Sequence, residues 1–235
     1  MFKWLLYVGL LGVSMLAQAN VVISGTRVVF PAEKKEISVQ LKNQGDRPAL
    51  IQAWLDNGDE QADPKTIKLP FIITPPVSRL DPQKQQILRV AYTGEPLAND
   101  RETLFFFNVL DIPPKPSRAE LANNPNYLQF SVRSRLKFFF RPAGLPYSVT
   151  DAYQKAQWRV KGKTLIVQNP TPYFITYSMI EVKQNGKIAY AKNADMVAPF
   201  SSHQFELSRA VSGGEVSWSA INDYGGESKG VSPLK

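Results

Sequence analysis

A single histidine, His203, and no cysteine leave this chain of 235 residues few ways to do covalent chemistry. A serine–histidine–carboxylate site, or a metal site with several imidazoles, would have to be built around His203. That residue sits in Ser201-Ser202-His203-Gln204-Phe205, a turn or strand start where an exposed structural histidine is the usual occupant. Without thiols there is no thiolate nucleophile and no thiolate metal site. Paired carboxylates can cleave glycosides, but no spacing singles out a pair. No glycine-rich phosphate loop opens a helix. No catalytic residue, metal or cofactor is expected, and neither is a small-molecule substrate. Sugar stacking is the remaining small-ligand chemistry, but Trp54, Trp158 and Trp218 fall within strand patterns as core residues, and Trp4 lies in the N-terminal leader.

One stretch of the chain is more informative than the rest. Residues 127–141 alternate with period two. Even positions read Leu128, Phe130, Val132, Ser134, Leu136, Phe138 and Phe140. Odd positions read Tyr127, Gln129, Ser131, Arg133, Arg135, Lys137, Phe139 and Arg141. Side chains alternate across a strand, so one face is apolar and the other polar and basic. Fifteen residues at about 3.3 Å each give a strand near 50 Å, longer than one sandwich sheet usually needs. Two readings follow. The row can be an ordinary strand facing its own core, or part of it can lie beyond that core and serve a partner, as an edge that must be covered. Periodicity does not choose between them.

The elements around this ribbon read as all-β. Short strand patterns occupy residues 21–23, 27–30, 36–41, 49–56, 86–92, 102–112 and 127–141, and then 157–160, 164–168, 174–182, 188–191, 203–207 and 216–222. Turn residues punctuate them, as sandwiches require. Thr74-Pro75-Pro76 predicts a rigid turn or cis-proline site. Asn185-Gly186 predicts a hairpin. Residues 113–126, rich in proline, asparagine and charge, predict an exposed loop. Arg141-Pro142-Ala143-Gly144-Leu145-Pro146 predicts a stiff linker. Seven strands, a proline break and about six more argue for two sandwiches.

The N-terminus reads as a secretory leader. Lys3 supplies the positive charge, residues 4–16 a nearly unbroken apolar run, and Ala17-Gln18-Ala19 the small residues a signal peptidase needs. Thirteen residues fall short of the ~20 of a membrane span. Cleavage after Ala19 leaves residues 20–235, divided as 20–142 and 143–235. The formal charge is +8, and losing Lys3 makes it +7. Export argues against nucleic acid as partner, and the dispersed charges read as solvated surface.

The chain resembles the periplasmic pilus-assembly chaperones of the chaperone–usher pathway, the PapD-like family. The matching segments are Thr26-Arg27-Val28-Val29-Phe30-Pro31, Thr74-Pro75-Pro76, and Asp100-Arg101-Glu102-Thr103-Leu104-Phe105. Ser134-Arg135-Leu136-Lys137 leading into Arg141-Pro142, Asn169-Pro170-Thr171-Pro172-Tyr173 and Ile221-Asn222-Asp223-Tyr224-Gly225 complete the set. The resemblance implies two immunoglobulin-like β-sandwich domains joined by a short hinge in an L or boomerang shape. It implies that the strand at 127–141 is lent to an incomplete pilus subunit, with Leu128, Phe130 and Val132 entering the subunit's groove. It gives Arg27 and Lys137 the role of gripping the subunit's C-terminal carboxylate, and makes Glu102, Arg141 and Asp223 an interdomain charged cluster. The implied partners are pilins or an adhesin and an outer-membrane usher, met in the periplasm of a Gram-negative bacterium. Self-capping oligomers are a further implication when no cargo is present. Lys137 is on the opposite phase from Leu128, so a bulge, a twist or its long stem must bring it to the anchor. The loop at 113–126 resembles that of the family's short-loop branch. Unlike some relatives, the second domain has no cysteine. The alternative reading is a secreted structural or carbohydrate-binding module of a fimbria, but a pilin would be one sandwich with an N-terminal donor extension.

Overall fold

The computed structural model describes residues 21–123 and 126–234. The leader expected at 1–19 lies outside the described residues. Nine strands build the first half: β1 (Val21–Ile23), β2 (Arg27–Pro31), β3 (Glu36–Asn43), β4 (Ala49–Asp56), β5 (Phe71–Thr74), β6 (Val77–Leu80), β7 (Gln85–Tyr92), β8 (Thr103–Ile112) and β9 (Val132–Arg141). They form a four-stranded sheet, β1-β3-β7-β5, facing a five-stranded sheet, β2-β9-β8-β4-β6. Alternation supplies the core between them. Phe30, Phe105, Phe138 and Phe140 point inward and are buried. Phe71 packs edge-on against Phe30 and Phe138 at 5.5 and 5.0 Å between ring centroids, a favoured aromatic geometry.

The second half contains β10 (Gln157–Asn169), β11 (Ile175–Gln184), β12 (Lys187–Tyr190), β13 (Met196–Val197), β14 (Ser201–Val211), β15 (Glu215–Ile221) and β16 (Glu227–Pro233). β10 pairs with β14, and β12-β11-β15-β16 form the facing sheet, with β13 also on β11. Its separate core is built around Trp158, Trp218 and Tyr177. Both halves are immunoglobulin-like sandwiches. The two cores are joined through residues 142–148 and a short helix, α2 (Val149–Tyr153), which Ser148 caps by accepting the Asp151 N–H at 3.1 Å. Asn185 and Gly186 both have positive φ, 51° and 74°, closing the expected hairpin between β11 and β12. Thr74–Pro75 is cis.

Four expectations need correction. The strand expected from residue 127 begins at Val132. Its ladder with β8 stops at the Asp111–Val132 pair, because Pro113 and Pro114 follow and have no N–H to extend it. The loop at 113–126 holds a helix, α1 (Arg118–Asn123), opened by a capping box: Ser117 Oγ accepts from Glu120 N at 3.2 Å and Glu120 Oε2 from Ser117 N at 2.6 Å. The strands expected at 157–160 and 164–168 are one long β10 whose register shifts at Gly162, φ +62°. Trp54 is not core. Ala53 and Leu55 take the inward positions of β4, and alternation turns Trp54 onto the outer face.

Candidate functional site

β9 is covered unequally on its two edges. β8 pairs with it from Val132 to Phe140, but β2 pairs only from Lys137 to Arg141. The backbone from Val132 to Leu136 therefore has an open side, and the approach at 127–131 has no strand partner. Along this stretch the apolar row is exposed: Leu128 77%, Phe130 74% and Val132 50%. Further on, the same phase passes inside, where Phe138 and Phe140 are buried. Core row and exposed row are one continuous stripe, and the sandwich covers only its C-terminal half.

The open edge ends at a pair of cations. Arg27 begins β2 and is the register partner of Lys137 in the parallel ladder. The odd phase of β9 faces the second sandwich here: Phe139 packs on Phe174 at 5.6 Å, and the Arg27 guanidinium lies 5.8 Å from the Phe139 ring centroid. Lys137 and the exposed apolar row lie on opposite faces of one strand, and the continuous register of β9 brings Lys137 beside Arg27 without a bulge. Arg27 Nη1 donates to Ile221 O at 2.8 Å, and Lys137 Nζ to Thr176 Oγ1 at 3.3 Å. Arg27 Nε is buried and has no hydrogen-bond partner among the described residues. No described carboxylate forms an ion pair with either cation. Burial pushes the Arg27 pKa down; burial and then the Arg27 charge push Lys137 down. Two half-buried positive groups lacking a counterion make a site for an anion.

A second charged group ties the halves together behind this pair. Arg141 Nε donates to Glu102 Oε1 at 2.7 Å, while its Nη1 and Nη2 form a fork with Asp223 Oδ2 and Oδ1 at 2.7 and 2.9 Å. Glu102 Oε2 accepts the Phe174 N–H at 2.8 Å, and the Glu102 N–H donates to Pro172 O at 2.9 Å. Burial raises the Glu102 carboxyl, and Arg141 and the Phe174 N–H pull it back in part. Burial disfavours charge on Arg141 too, but the Asp223 hydrogen bonds and the field of Glu102 outweigh that and raise its pKa. Glu102, Arg141 and Asp223 thus meet, as do Arg27 and Lys137.

Sequence reasoning left several contributors unassigned. Asn169, fully buried, donates to Tyr173 O at 2.8 Å and Ala198 O at 2.9 Å. This shapes the turn that presents Phe174 to Glu102. Asn222 Oδ1 accepts the Tyr224 and Gly226 N–H groups, both at 3.1 Å, and fixes the turn that carries Asp223. Gly225, φ +83°, lets that turn press on Thr26: a Cβ there would lie 2.6 Å from Thr26 Oγ1. The signal was present in the asparagine–proline and asparagine–aspartate–glycine spacings, but turn chemistry alone does not say which element a turn will touch. His203 is half-buried on β14 beside Phe205, 4.7 Å between centroids. No group of three metal-ligating side chains occurs among the described residues, and none of their helices is long and apolar enough to cross a membrane.

Comparison with known proteins agrees with this architecture. Residues 20–146 match the family described as pili and flagellar-assembly chaperone, PapD N-terminal domain, and residues 151–232 match the pili assembly chaperone PapD, C-terminal domain. A chaperone protein HifB of Haemophilus influenzae is 48% identical over 91% of this chain and 88% of its own length. The crystal structure of the Pseudomonas aeruginosa CupB2 chaperone superposes with a TM-score of 0.79 at 37% identity, covering 91% of this chain and all of that one. The Salmonella enterica SafB chaperone, solved in complex with the SafA pilin, gives 0.77 at 26% identity over 92% of this chain and 97% of its own. With both sandwiches matched and the identity this high across them, the chain belongs to the PapD family of pilus-assembly chaperones.

Proposed function

We propose that this chaperone captures pilus subunits by lending them the open edge of β9, with Leu128, Phe130 and Val132 filling a groove in the subunit. The subunit's C-terminal carboxylate is held between Arg27 and Lys137. The observation that carries the reading is the coincidence of an exposed apolar row, an unpaired strand edge and an uncompensated cation pair at the end of that edge. A carboxylate at the cation pair lies at the C-terminal end of the open segment, so the incoming strand runs parallel to β9. Charge-assisted hydrogen bonds to Arg27 and Lys137 contribute about 1.5–3 kcal/mol each. Backbone pairing adds affinity that does not depend on the subunit's sequence.

In this reading the first domain spans residues 20–142 and the second 143–235, after a leader cleaved at residue 19 directs the chain to the periplasm. Glu102, Arg141 and Asp223 set the angle between the domains, a geometric role suited to charges whose attraction is largely offset by desolvation. The loaded chaperone passes its cargo to an outer-membrane usher, and no step requires a cofactor or catalysis. The test is co-expression with a pilin. Arg27→Ala and Lys137→Ala should fold normally yet recover little one-to-one complex. Unchanged recovery refutes the anchor, and lost recovery with a lowered melting temperature makes both residues structural.

A further inference from the structure

The odd-numbered face of residues 127–135 makes contacts that strand donation itself does not use. The Tyr127 hydroxyl accepts from Arg47 Nη1 at 3.1 Å, and Arg47 is bridged to Glu120 of α1 at 3.3 Å. The Gln129 amide donates to Pro113 O at 2.8 Å and Pro114 O at 3.3 Å. Arg133 Nε donates to Asn108 Oδ1 at 2.9 Å and its Nη1 to Glu60 O at 2.7 Å, with the guanidinium 5.1 Å from the Trp54 ring centroid. Arg135 donates to Asp56 Oδ1 and Oδ2 at 2.6 and 3.0 Å and to Glu60 Oε1 at 2.9 Å, and lies 3.5 Å from the Phe106 ring centroid. Asp56, its side chain 1% exposed, also accepts from Asn108 Nδ2 and the Gly58 N–H, both at 2.8 Å.

These contacts alternate with the exposed row. Odd positions 127, 129, 133 and 135 are bound to domain one, while Leu128, Phe130 and Val132 between them stay exposed. The Gln129 contact is informative because of where it falls. Pro113 and Pro114 end the β8 ladder, and a side-chain amide takes the carbonyls a strand N–H would have met. A chain without ladder bonds loses backbone freedom when it pairs. Residues already held extended have met part of that loss before binding.

We propose that Tyr127 and Gln129 are positioning residues. They tether the unladdered approach at 127–131 so that it stays extended, with its apolar row outward, before a partner arrives, and they continue the face that Arg133 and Arg135 occupy within the β8 ladder. The inference rests on the reading of residues 127–136 as the donated segment. It also gives the ribbon a handedness of use: the tethered face is occupied, so a partner pairing one residue out of register meets guanidinium and amide groups in place of apolar ones.

The chain has no cysteine, so Ser131→Cys gives a unique site for a nitroxide label. The labelled protein is compared with the same protein carrying Tyr127→Phe and Gln129→Glu, which delete two tethers with little change of shape. The binding probe is a synthetic peptide of about 12 residues, alternating apolar and polar, with a free C-terminal carboxylate; its amide is the control. Loss of the tethers should sharpen the nitroxide spectrum and weaken binding about tenfold while leaving the melting temperature unchanged. Unchanged label motion or unchanged binding overturns the proposal. So does a lowered melting temperature, which would make the tethers part of the fold. Failure of the donor reading looks different: the untouched protein would bind acid and amide peptides alike, and Phe130→Glu would have no effect.

Discussion

Phe130 is the side chain on which strand donation can be tested most cleanly. It is 74% exposed in the free chain, so little of it contributes to the chaperone's own core. Complete burial of a large apolar side chain is worth about 1.5–3 kcal/mol, and scaling by the exposed fraction leaves about 1.1–2.2 kcal/mol available to a partner. Phe130→Ala should therefore weaken capture of a pilin by roughly 6–40-fold, since about 1.4 kcal/mol is a factor of ten. The chaperone's own stability should move by no more than about 0.5 kcal/mol, as for other surface substitutions.

Titration calorimetry against one purified pilin, with urea unfolding of the free chaperone alongside, measures both quantities. The ordering along the row is a further check. Leu128, 77% exposed, should match Phe130, and Val132, 50% exposed and already in the ladder with β8, should cost about 0.8–1.5 kcal/mol. Equal affinities for the parent and Phe130→Ala would refute the reasoning. A large stability loss with unchanged affinity would show that the ribbon serves its own fold.

Lys137 carries a pH signature. Burial, then Arg27, lowers its pKa below the ordinary 10.5, so in that window the unfolded chain binds more protons than the folded one. The free chain should thus gain stability as pH rises from the folded pKa towards 10.5, a gain that Lys137→Met abolishes in urea titrations; carboxylate capture should weaken over the same range as the lysine loses its proton. Gly225→Ala should destabilise the contact between the domains by about 1–3 kcal/mol, because φ is +83° and the new Cβ meets Thr26, and small-angle scattering should report a changed domain angle. An unchanged scattering profile and melting temperature would remove Gly225 from the interface. Glu102→Gln keeps an acceptor for the Phe174 N–H but leaves Arg141 paired only with Asp223, so it should cost less than the about 3–5 kcal/mol of a fully orphaned buried charge. Calorimetric melting checks that bound.

The strands whose side chains alternate sharply were legible in sequence, and so was the break between the sandwiches. β16 was not. Its Glu-Ser-Lys-Gly-Val-Ser-Pro has little apolar pattern, and its place is set by Trp218: a Cβ on Gly230 would lie 2.3 Å from that ring. Glycine there answers a tertiary demand that no local period records. The same holds for the odd face of β9. Arg133 and Arg135 reach Asp56 across 77 and 79 residues of chain, and in sequence they look like solvated strand arginines. Trp54 was misassigned for a related reason, since strand membership does not tell which face is inward until register is known. The candidate anchor came from resemblance; alternation by itself made the phase of Lys137 look like an obstacle.

That phase is central to the proposed mechanism. A strand that only completed a partner's core could end anywhere, and one that only anchored a tail would need no exposed apolar residues. β9, as proposed, would divide these tasks between its two faces and its two ends. In the proposed reading the tail carboxylate at Lys137 fixes where the partner strand stops, and the nearest donated side chain, Val132, lies five residues back along β9, with Phe130 and Leu128 at seven and nine. Odd separations put all three on the face opposite the anchor. With side chains alternating, a shift of one residue would turn every apolar contact to the wrong face. On that proposal a pair of charges at one end sets the register of an otherwise sequence-tolerant ladder, so partner strands of different sequence would align in the same way.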